Sequence, residues 1–61
     1  MYELKHKGVS VKVFKSKEEA LQYIPTNRIE TLDLGEITNI YTAEDLIHNL
    51  PASYQLFKIN P

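Results

Sequence analysis

The sequence predicts an α+β fold, in which a small, mostly antiparallel sheet of about five strands carries two short helices on one face, in the order ββαββαβ. Residues 2–13 alternate apolar and polar side chains around a Lys-Gly pair, which is typical of a β-hairpin. Residues 14–25 and 40–51 repeat one pattern of hydroxyl cap, acidic pair, apolar stripe and proline, which indicates two helices. Apolar segments at 28–34, 37–41 and 54–59 supply the other strands.

The N-terminal hairpin is predicted to turn at Lys7 and Gly8, because a two-residue turn needs positive φ angles, which glycine adopts freely. This register pairs His6 with Val9. In a sheet built from the later strands, the hairpin is expected to add residues 2–7 as a strand at the edge. The residues predicted to share the inward face are Tyr2, Leu4, Val9, Val11 and Val13. The residues predicted to share the outward face are Glu3, Lys5, Ser10 and Lys12, with Glu3 opposite Lys12.

Both helices are predicted from the capping residues at their N-termini and the prolines at their C-termini. Ser16 and Glu19 form a capping box, in which the hydroxyl takes an amide and the carboxylate reaches back. Thr42, 26 residues after Ser16, begins a weaker form of the same cap, and Pro25 and Pro51 end the helices. The stripes predicted to face the core are Ala20, Leu21 and Ile24 in the first helix and Ala43, Leu46, Ile47 and Leu50 in the second, with Leu21 and Ile47 as equivalent buried positions.

The later strands are less regular in sequence. The spacing of Ile37 and Ile40, three residues apart, predicts a bulge or irregular backbone between 37 and 41. Gly35 and Glu36 are predicted to form the turn before this strand. The remaining apolar residues are predicted to divide between the faces, with Leu32 and Leu34 together on one face and Leu56 on the opposite face from Phe57 and Ile59.

The order of the elements leaves two topologies open. The connections 15–27 and 42–53 are just long enough for parallel βαβ crossovers, which would give a ferredoxin-like pseudo-repeat. The helices are also compatible with an antiparallel return of the chain, which would give a meander-like sheet. A leucine-rich repeat, suggested by Ile29, Leu32 and Leu34, needs more repeats than this chain can hold.

The composition predicts one soluble, cytoplasmic domain over residues 1–61, without a cofactor or a metal. There is no cysteine, so a structural zinc site would lack its usual ligands. Motifs for a nucleophile, a zinc ion or a phosphate loop are missing, and we therefore expect no enzyme activity. The acidic pairs at 18–19 and 44–45 lie at helix starts, where capping and the helix dipole explain them.

The charge is unevenly distributed along the chain, whose net charge is −1. Residues 1–17 contain five lysines and one acidic residue, whereas residues 18–57 contain seven acidic residues and one arginine. A basic segment of this kind suits an acidic partner. The candidate binding residues, on or just beyond the hairpin's outer face, are Lys5, Lys7, Lys12, Phe14 and Lys15.

These features favour a small non-catalytic binding or regulatory module that contacts a protein, or its own copy in a homodimer, through the basic hairpin or a sheet edge. The alternative is a nucleic-acid-binding module, since lysines can follow a phosphate backbone while Phe14 stacks on a base. The segment V-F-K-S-K-E-E-A-L at 13–21 is similar to the end of a small sheet in some phage integrase arm-binding domains, and that resemblance implies the same alternative. No membrane partner is expected, because no apolar run is long enough to span a bilayer.

Overall fold

The computed structural model describes residues 1–27 and 29–59, and it confirms the α+β fold and the ββαββαβ order. Arg28, predicted to begin the third strand, and the terminal Asn60 and Pro61 lie outside the described residues. The strands are β1 (Tyr2–His6), β2 (Val9–Phe14), β3 (Ile29–Asp33), β4 (Ile37–Thr42) and β5 (Tyr54–Lys58), and the helices are α1 (Lys17–Tyr23) and α2 (Ala43–His48). Within the described ranges, neither helix is long and apolar enough to cross a membrane.

The five strands form one sheet in the order β2-β1-β5-β4-β3, and every neighbouring pair is antiparallel. Helix α2 therefore connects two antiparallel neighbours, β4 and β5, while α1 carries the chain from one edge of the sheet to the other. The two connections therefore differ: β4 and β5, joined through α2, run antiparallel, whereas β2 and β3, joined through α1, run parallel at opposite edges of the sheet. The ferredoxin-like pair of parallel crossovers is not formed. The prediction that residues 2–7 form an edge strand is wrong, because β1 lies between β2 and β5.

The predicted two-residue turn is confirmed, but the predicted register of the hairpin holds only beside that turn. Lys7 and Gly8 have φ angles of 52° and 84°, and His6 pairs with Val9. The register then shifts between Leu4 and Lys5, so that Leu4 pairs with Lys12 instead of Val11. Such a bulge places one extra residue in β2.

The bulge turns Val13 away from the inward face predicted for it, whereas Val9, beside the turn, keeps its predicted pair with His6 and is nevertheless exposed. Beyond the bulge, Tyr2 pairs with Phe14 instead of Val13, and Glu3 pairs with Val13 instead of Lys12. Phe14 thereby reaches the inner face and is only 7% exposed. An aromatic ring buries more apolar area than a valine, so the shift favours the core. The three valines that the prediction placed inside are all exposed, namely Val9, Val11 and Val13.

The core lies between α1 and one face of the sheet. Cross-strand pairing sets Leu4 of β1 directly against Leu56 of β5, and both side chains are buried. Ala20 and Ile24 from the first helical segment cover them. The remaining buried apolar residues are Phe14 and Ile40, and Tyr2, Leu21, Ile29 and Tyr54 pack around the cluster.

Strand β4 is regular, so the predicted bulge between 37 and 41 is wrong. Its pairs with β3 and β5 follow one another without a shift. Ile40 and Ile37 therefore point to opposite faces, as expected for residues an odd number apart. Ile40 is buried in the core, whereas Ile37 is half-buried on the other side of the sheet. The predicted separation of Leu56 from Phe57 is confirmed, since Leu56 is buried in the core and Phe57 is half-buried on the opposite face.

Both helices border the same face of the sheet. A cavity of about 320 Å³ lies where the end of α1 meets the start of α2, and its lining includes Ile24, Ala43 and Tyr54. Tyr54 stacks on the ring of His6, with 4.4 Å between the ring centroids. The helices nevertheless differ in burial, because Ile47 is 74% exposed. The predicted equivalence of Leu21 and Ile47 as buried positions is therefore wrong.

The opposite side of the sheet, which we call the open face, carries no helix within the described ranges. Two neighbouring rows of side chains cross it from β2 to the end of β3. The first row, which is apolar except for Glu3, consists of Val13, Glu3, Phe57, Ile37 and Leu34. The second row, which is polar except for Leu32, consists of Ser10, Lys5, Gln55, Asn39 and Leu32.

Candidate binding surface

The β2 edge, formed by residues 9–14, is the outer border of the sheet on the hairpin side. Residues 9–13 are exposed, and Val9 reaches 68% exposure at the start of the strand. By the antiparallel pattern, His6 and Val9 exchange hydrogen bonds beside the turn, so the next pair, Lys5 and Ser10, does not. The N–H and C=O of Ser10 therefore point away from β1, where another strand could take them.

The lysines predicted to share one face of the hairpin lie on two faces. Lys5 belongs to the open face, where its Nζ stands 4.8 Å from the centre of the Phe57 ring. Lys12 lies on the helix-bearing face because the bulge has moved it opposite Leu4. There its Nζ is 5.6 Å from the centre of the Phe14 ring. These distances are typical of cation–π contacts, which hold each ammonium group beside an aromatic side chain.

The other predicted binding residues flank these two lysines. Lys7 occupies the turn, where its backbone N–H donates to the carbonyl of Ser53 at 2.8 Å. Lys15 follows β2, and its backbone N–H donates to the Glu19 carboxylate at 3.3 Å. Phe14 is buried in the core, so its ring does not present a stacking surface to a base. Lys12 therefore lies on the β2 edge with Lys7 and Lys15 at its two ends, whereas Lys5 lies on the open face and the Phe14 side chain is buried in the core.

The predicted caps are both present, in forms that differ from the prediction. In α1 the Glu19 amide donates to the Ser16 hydroxyl at 3.2 Å, but the Glu19 carboxylate reaches Lys15 and not Ser16. In α2 both halves of the box form: the Asp45 amide donates to Thr42 Oγ1 at 3.3 Å, and the Thr42 amide donates to Asp45 Oδ2 at 3.0 Å. The cap predicted to be weaker is the complete one.

Asp45 and Ser53 form a buried polar centre that sequence reasoning missed. Asp45 is 2% exposed. Its carboxylate accepts hydrogen bonds from the Ser53 amide at 3.0 Å and the Ser53 hydroxyl at 2.5 Å. Because the Ser53 carbonyl accepts from Lys7, this centre joins the start of α2 to the hairpin turn. The capping motif identified Asp45, but nothing local in the sequence pairs it with Ser53.

Hydrogen bonding keeps the Asp45 carboxylate ionised. Burial alone raises the pKa of Asp45, but the Ser53 hydroxyl and the amides of Thr42 and Ser53 outweigh it and lower the pKa to about 2. Donors that favour the charged form act in this direction. The group therefore serves as a fixed acceptor for the surrounding donors at neutral pH.

A second contact missed in the sequence ties α1 to the far edge of the sheet. Lys17 Nζ donates to Asp33 Oδ2 at 2.8 Å, and the same ammonium stands 5.9 Å from the centre of the Tyr2 ring. The hydrogen bond from Lys17, with a second from the Gly35 amide, lowers the pKa of Asp33. The residues are 16 positions apart in sequence, so no helical or strand spacing pairs them.

The described residues contain no group of three or more His, Cys, Asp or Glu side chains that could hold a metal ion. His48 lies on the surface of α2, where its Nε2 is 3.3 Å from the Glu44 carboxylate, as expected for residues four apart on a helix. Comparison of the chain with protein-family models, with curated proteins and with solved structures finds no match.

Proposed function

We propose that this chain is a non-catalytic protein-binding module in which the β2 edge pairs with an acidic, extended segment of a partner protein. The observation that supports the proposal is β2 itself, a six-residue strand that borders the sheet and is exposed over residues 9–13. An added strand gains main-chain hydrogen bonds along such an edge, and side-chain pockets and charges select among candidate strands.

The charges along the β2 edge favour an acidic segment. Lys7 precedes the strand, Lys12 lies within it and Lys15 follows it, all in exposed positions. Acidic side chains on a partner strand would face these lysines, whereas the β2 strand of a second copy would bring lysine against lysine. The exposed valines at 9, 11 and 13 add apolar area for alternate side chains of the partner.

Separation of the lysines favours a protein segment over a nucleic acid. A phosphate backbone is followed best by cations that share one continuous surface. Lys5 and Lys12 lie on opposite faces of the sheet, and Phe14 is buried. The alternative depends on Lys5 beside the other lysines and on an exposed Phe14 ring, and neither arrangement is present.

A designed peptide of alternating glutamate and valine is a suitable probe, with the matching lysine–valine peptide as its control. We expect the acidic peptide alone to bind, with amide chemical-shift changes concentrated at residues 9–14 in a ¹⁵N spectrum. Lys12→Glu should weaken binding at least about fivefold, because it reverses the charge at the middle of the edge. Lys58→Glu makes the same charge change two strands away and should leave binding unchanged.

Equal binding of both peptides, or shifts that avoid β2, would overturn the proposal. Single-stranded DNA at low salt is the counter-probe. If DNA bound, the acidic peptide did not, and Lys5→Glu, Lys7→Glu and Lys12→Glu each weakened the DNA complex, the function would be nucleic-acid binding instead. Circular dichroism of each variant would show that the fold is retained.

A further inference from the structure

The cavity of about 320 Å³ between the end of α1 and the start of α2 is lined by two aromatic rings and by apolar side chains. The sheet contributes His6 and Tyr54, which are cross-strand partners with stacked rings. Ile24 and Pro25 line the cavity at the end of α1, and Ala43 lines it from α2. Sites for small molecules are typically concave, of about this volume and mostly apolar, with a few polar groups that orient the ligand. The cavity therefore offers apolar surface for the body of a small organic ligand.

Lys7 brings a cation to this cavity that is not yet paired within the described part of the chain. Its backbone N–H donates to the Ser53 carbonyl at 2.8 Å, which fixes the residue at the border of the cavity. Its Nζ makes no ion pair, hydrogen bond or ring contact with the residues that the structure describes. By contrast, Lys5, Lys12 and Lys17 each lie beside an aromatic ring. The Lys7 ammonium can therefore bind an anionic group without losing a partner that it already has.

A second cavity, of about 610 Å³, adjoins the first but is less suited to an anion. Lys7, Glu44 and Ser53 line both cavities, so the two meet at these residues. The second cavity also includes Asp45, which sets two carboxylates against one ammonium. In the first cavity Glu44 is the one acidic residue among the described lining residues, and His6 adds ring nitrogen atoms that can form hydrogen bonds. The distribution of charge therefore favours an anionic ligand in the first cavity.

From these features we infer that the first cavity binds a small carboxylate with an apolar body, the carboxylate beside Lys7 and the body against Ala43 and Tyr54. An ammonium donates charge-assisted hydrogen bonds to a carboxylate, and apolar walls favour a ligand body that displaces water from them. A free organic acid has this chemistry, and so does the C-terminus of a peptide whose last side chain is apolar. This inference does not depend on the proposed function of the β2 edge.

Titration with 3-phenylpropionate, followed in ¹⁵N spectra, tests the inference, and the neutral 3-phenylpropionamide is its matched control. The carboxylate should bind with a Kd of about 1 mM, as expected for a ligand of about eleven non-hydrogen atoms. Shift changes should be concentrated at the amides of residues 6–7, 43–44 and 53–54. Lys7→Gln should raise the Kd at least about fivefold, because it removes the charge that assists the hydrogen bond. Lys15→Gln removes a charge outside the cavity and should leave the Kd unchanged.

Two alanine-to-leucine substitutions show which cavity is occupied. Ala43 lines the first cavity alone and Ala52 lines the second alone, and both residues are half-buried. Ala43→Leu should raise the Kd at least about tenfold, because the larger side chain takes the space of the ligand body. Ala52→Leu makes the same change in the second cavity and should leave the Kd unchanged. Thermal unfolding of both variants would show that the fold is retained.

The inference would be wrong if the wild-type chain showed no shift changes at about 10 mM 3-phenylpropionate, ten times the expected Kd. Equal binding of the acid and the amide would also contradict it, as would loss of binding in Ala52→Leu but not in Ala43→Leu. Lys12→Glu changes the β2 edge and should leave the Kd unchanged, so the edge and the cavity can fail independently.

A tripeptide ending in leucine, with a free or an amidated C-terminus, identifies the source of the carboxylate. Tighter binding of the free tripeptide than of 3-phenylpropionate, with no binding of the amidated form, would support the inference with a peptide C-terminus as the ligand. Weaker binding of the free tripeptide would support it with a free organic acid as the ligand. Equal binding of both tripeptides would contradict the role of the carboxylate.

Discussion

The two helices begin with nearly the same sequence pattern, yet they are held to the sheet by different interactions. Helix α1 contributes Ala20 to the core, and Ile24 directly after it is 3% exposed. Helix α2 buries Asp45 and leaves Leu46 and Ile47 exposed, and Leu50 just beyond the helix is exposed as well. The first helix is therefore held mainly by apolar packing, and the second by a carboxylate that accepts hydrogen bonds from Thr42 and Ser53.

The ends of the two helices differ in the same way. Helix α1 stops where Ile24 adopts an extended conformation before Pro25, as predicted. Helix α2 stops at Asn49, which takes a left-handed conformation with φ of 53°, two residues before the predicted proline stop. The Leu50 amide donates back to the Asp45 carbonyl at 2.8 Å. Similar sequence signals therefore end the two helices in different ways, because the termination of a helix depends on the direction that the chain takes after it.

The largest expected difference is between two isoleucine-to-alanine substitutions. Ile24→Ala should reduce the free energy of unfolding by about 2–4 kcal/mol, since it leaves a cavity in a small core. Ile47→Ala, at a side chain that is 74% exposed, should change it by less than about 0.5 kcal/mol. Urea denaturation of both variants measures the difference. Equal losses would show that α2 packs as α1 does, and the comparison would fail.

Removal of the buried carboxylate should have the next largest effect. Asp45→Ala is expected to cost about 2–3 kcal/mol, because it leaves the Thr42 and Ser53 donors without their buried acceptor. Glu19→Ala, at the corresponding position of α1, removes an exposed contact to Lys15 and should cost less than about 1 kcal/mol. The two midpoints of urea denaturation test this order. A larger loss of stability for Glu19→Ala than for Asp45→Ala would show that polar contacts hold α1 more strongly than α2, contrary to the comparison.

The smallest of the three effects is the acid dependence of α2 anchoring. The pKa of Asp45 is about 2 in the folded chain, below the ordinary value of 3.8. The unfolded chain therefore binds the proton more readily, and stabilisation present above about pH 4 is lost as the pH falls to about 2. This loss should amount to about 1–2 kcal/mol. Denaturation curves between pH 5 and pH 2 measure it.

Asp45→Asn provides the control for the acid dependence. The variant has no carboxylate at this position, so its stability should fall less steeply over the same pH range. Asp33, whose pKa is also lowered, remains in both chains and accounts for part of the common slope. Identical slopes for the wild type and the variant would show that Asp45 does not contribute.

Short-range features of the fold could be predicted from the sequence, because neighbouring residues supply their energetics. The Lys7-Gly8 turn and the hydroxyl caps at Ser16 and Thr42 lie where the local signals place them. The α+β class and the element order follow from the same signals. Each of these features depends on hydrogen bonds or φ angles that involve only a few consecutive residues.

The candidate surfaces were predicted only in part. The basic character of the hairpin was visible in the positions of Lys7, Lys12 and Lys15. The shift between Leu4 and Lys5 was not, and it moves Lys12 to the face opposite Lys5 and buries Phe14. The bulge is stabilised by the burial of Phe14 in the core, and that core includes residues from α1 and β5, which are distant in sequence.

By itself, the sequence determined where the chain turns, where its helices begin and which secondary structures follow one another, because these choices are made by adjacent residues. Only the tertiary structure decided that β1 lies inside the sheet, that α2 is anchored by Asp45 and Ser53, and that Lys5 and Lys12 lie on opposite faces of the sheet. These outcomes depend on contacts between residues far apart in sequence. Their stabilising energy arises only when separate elements pack together, and no local sequence pattern indicates it.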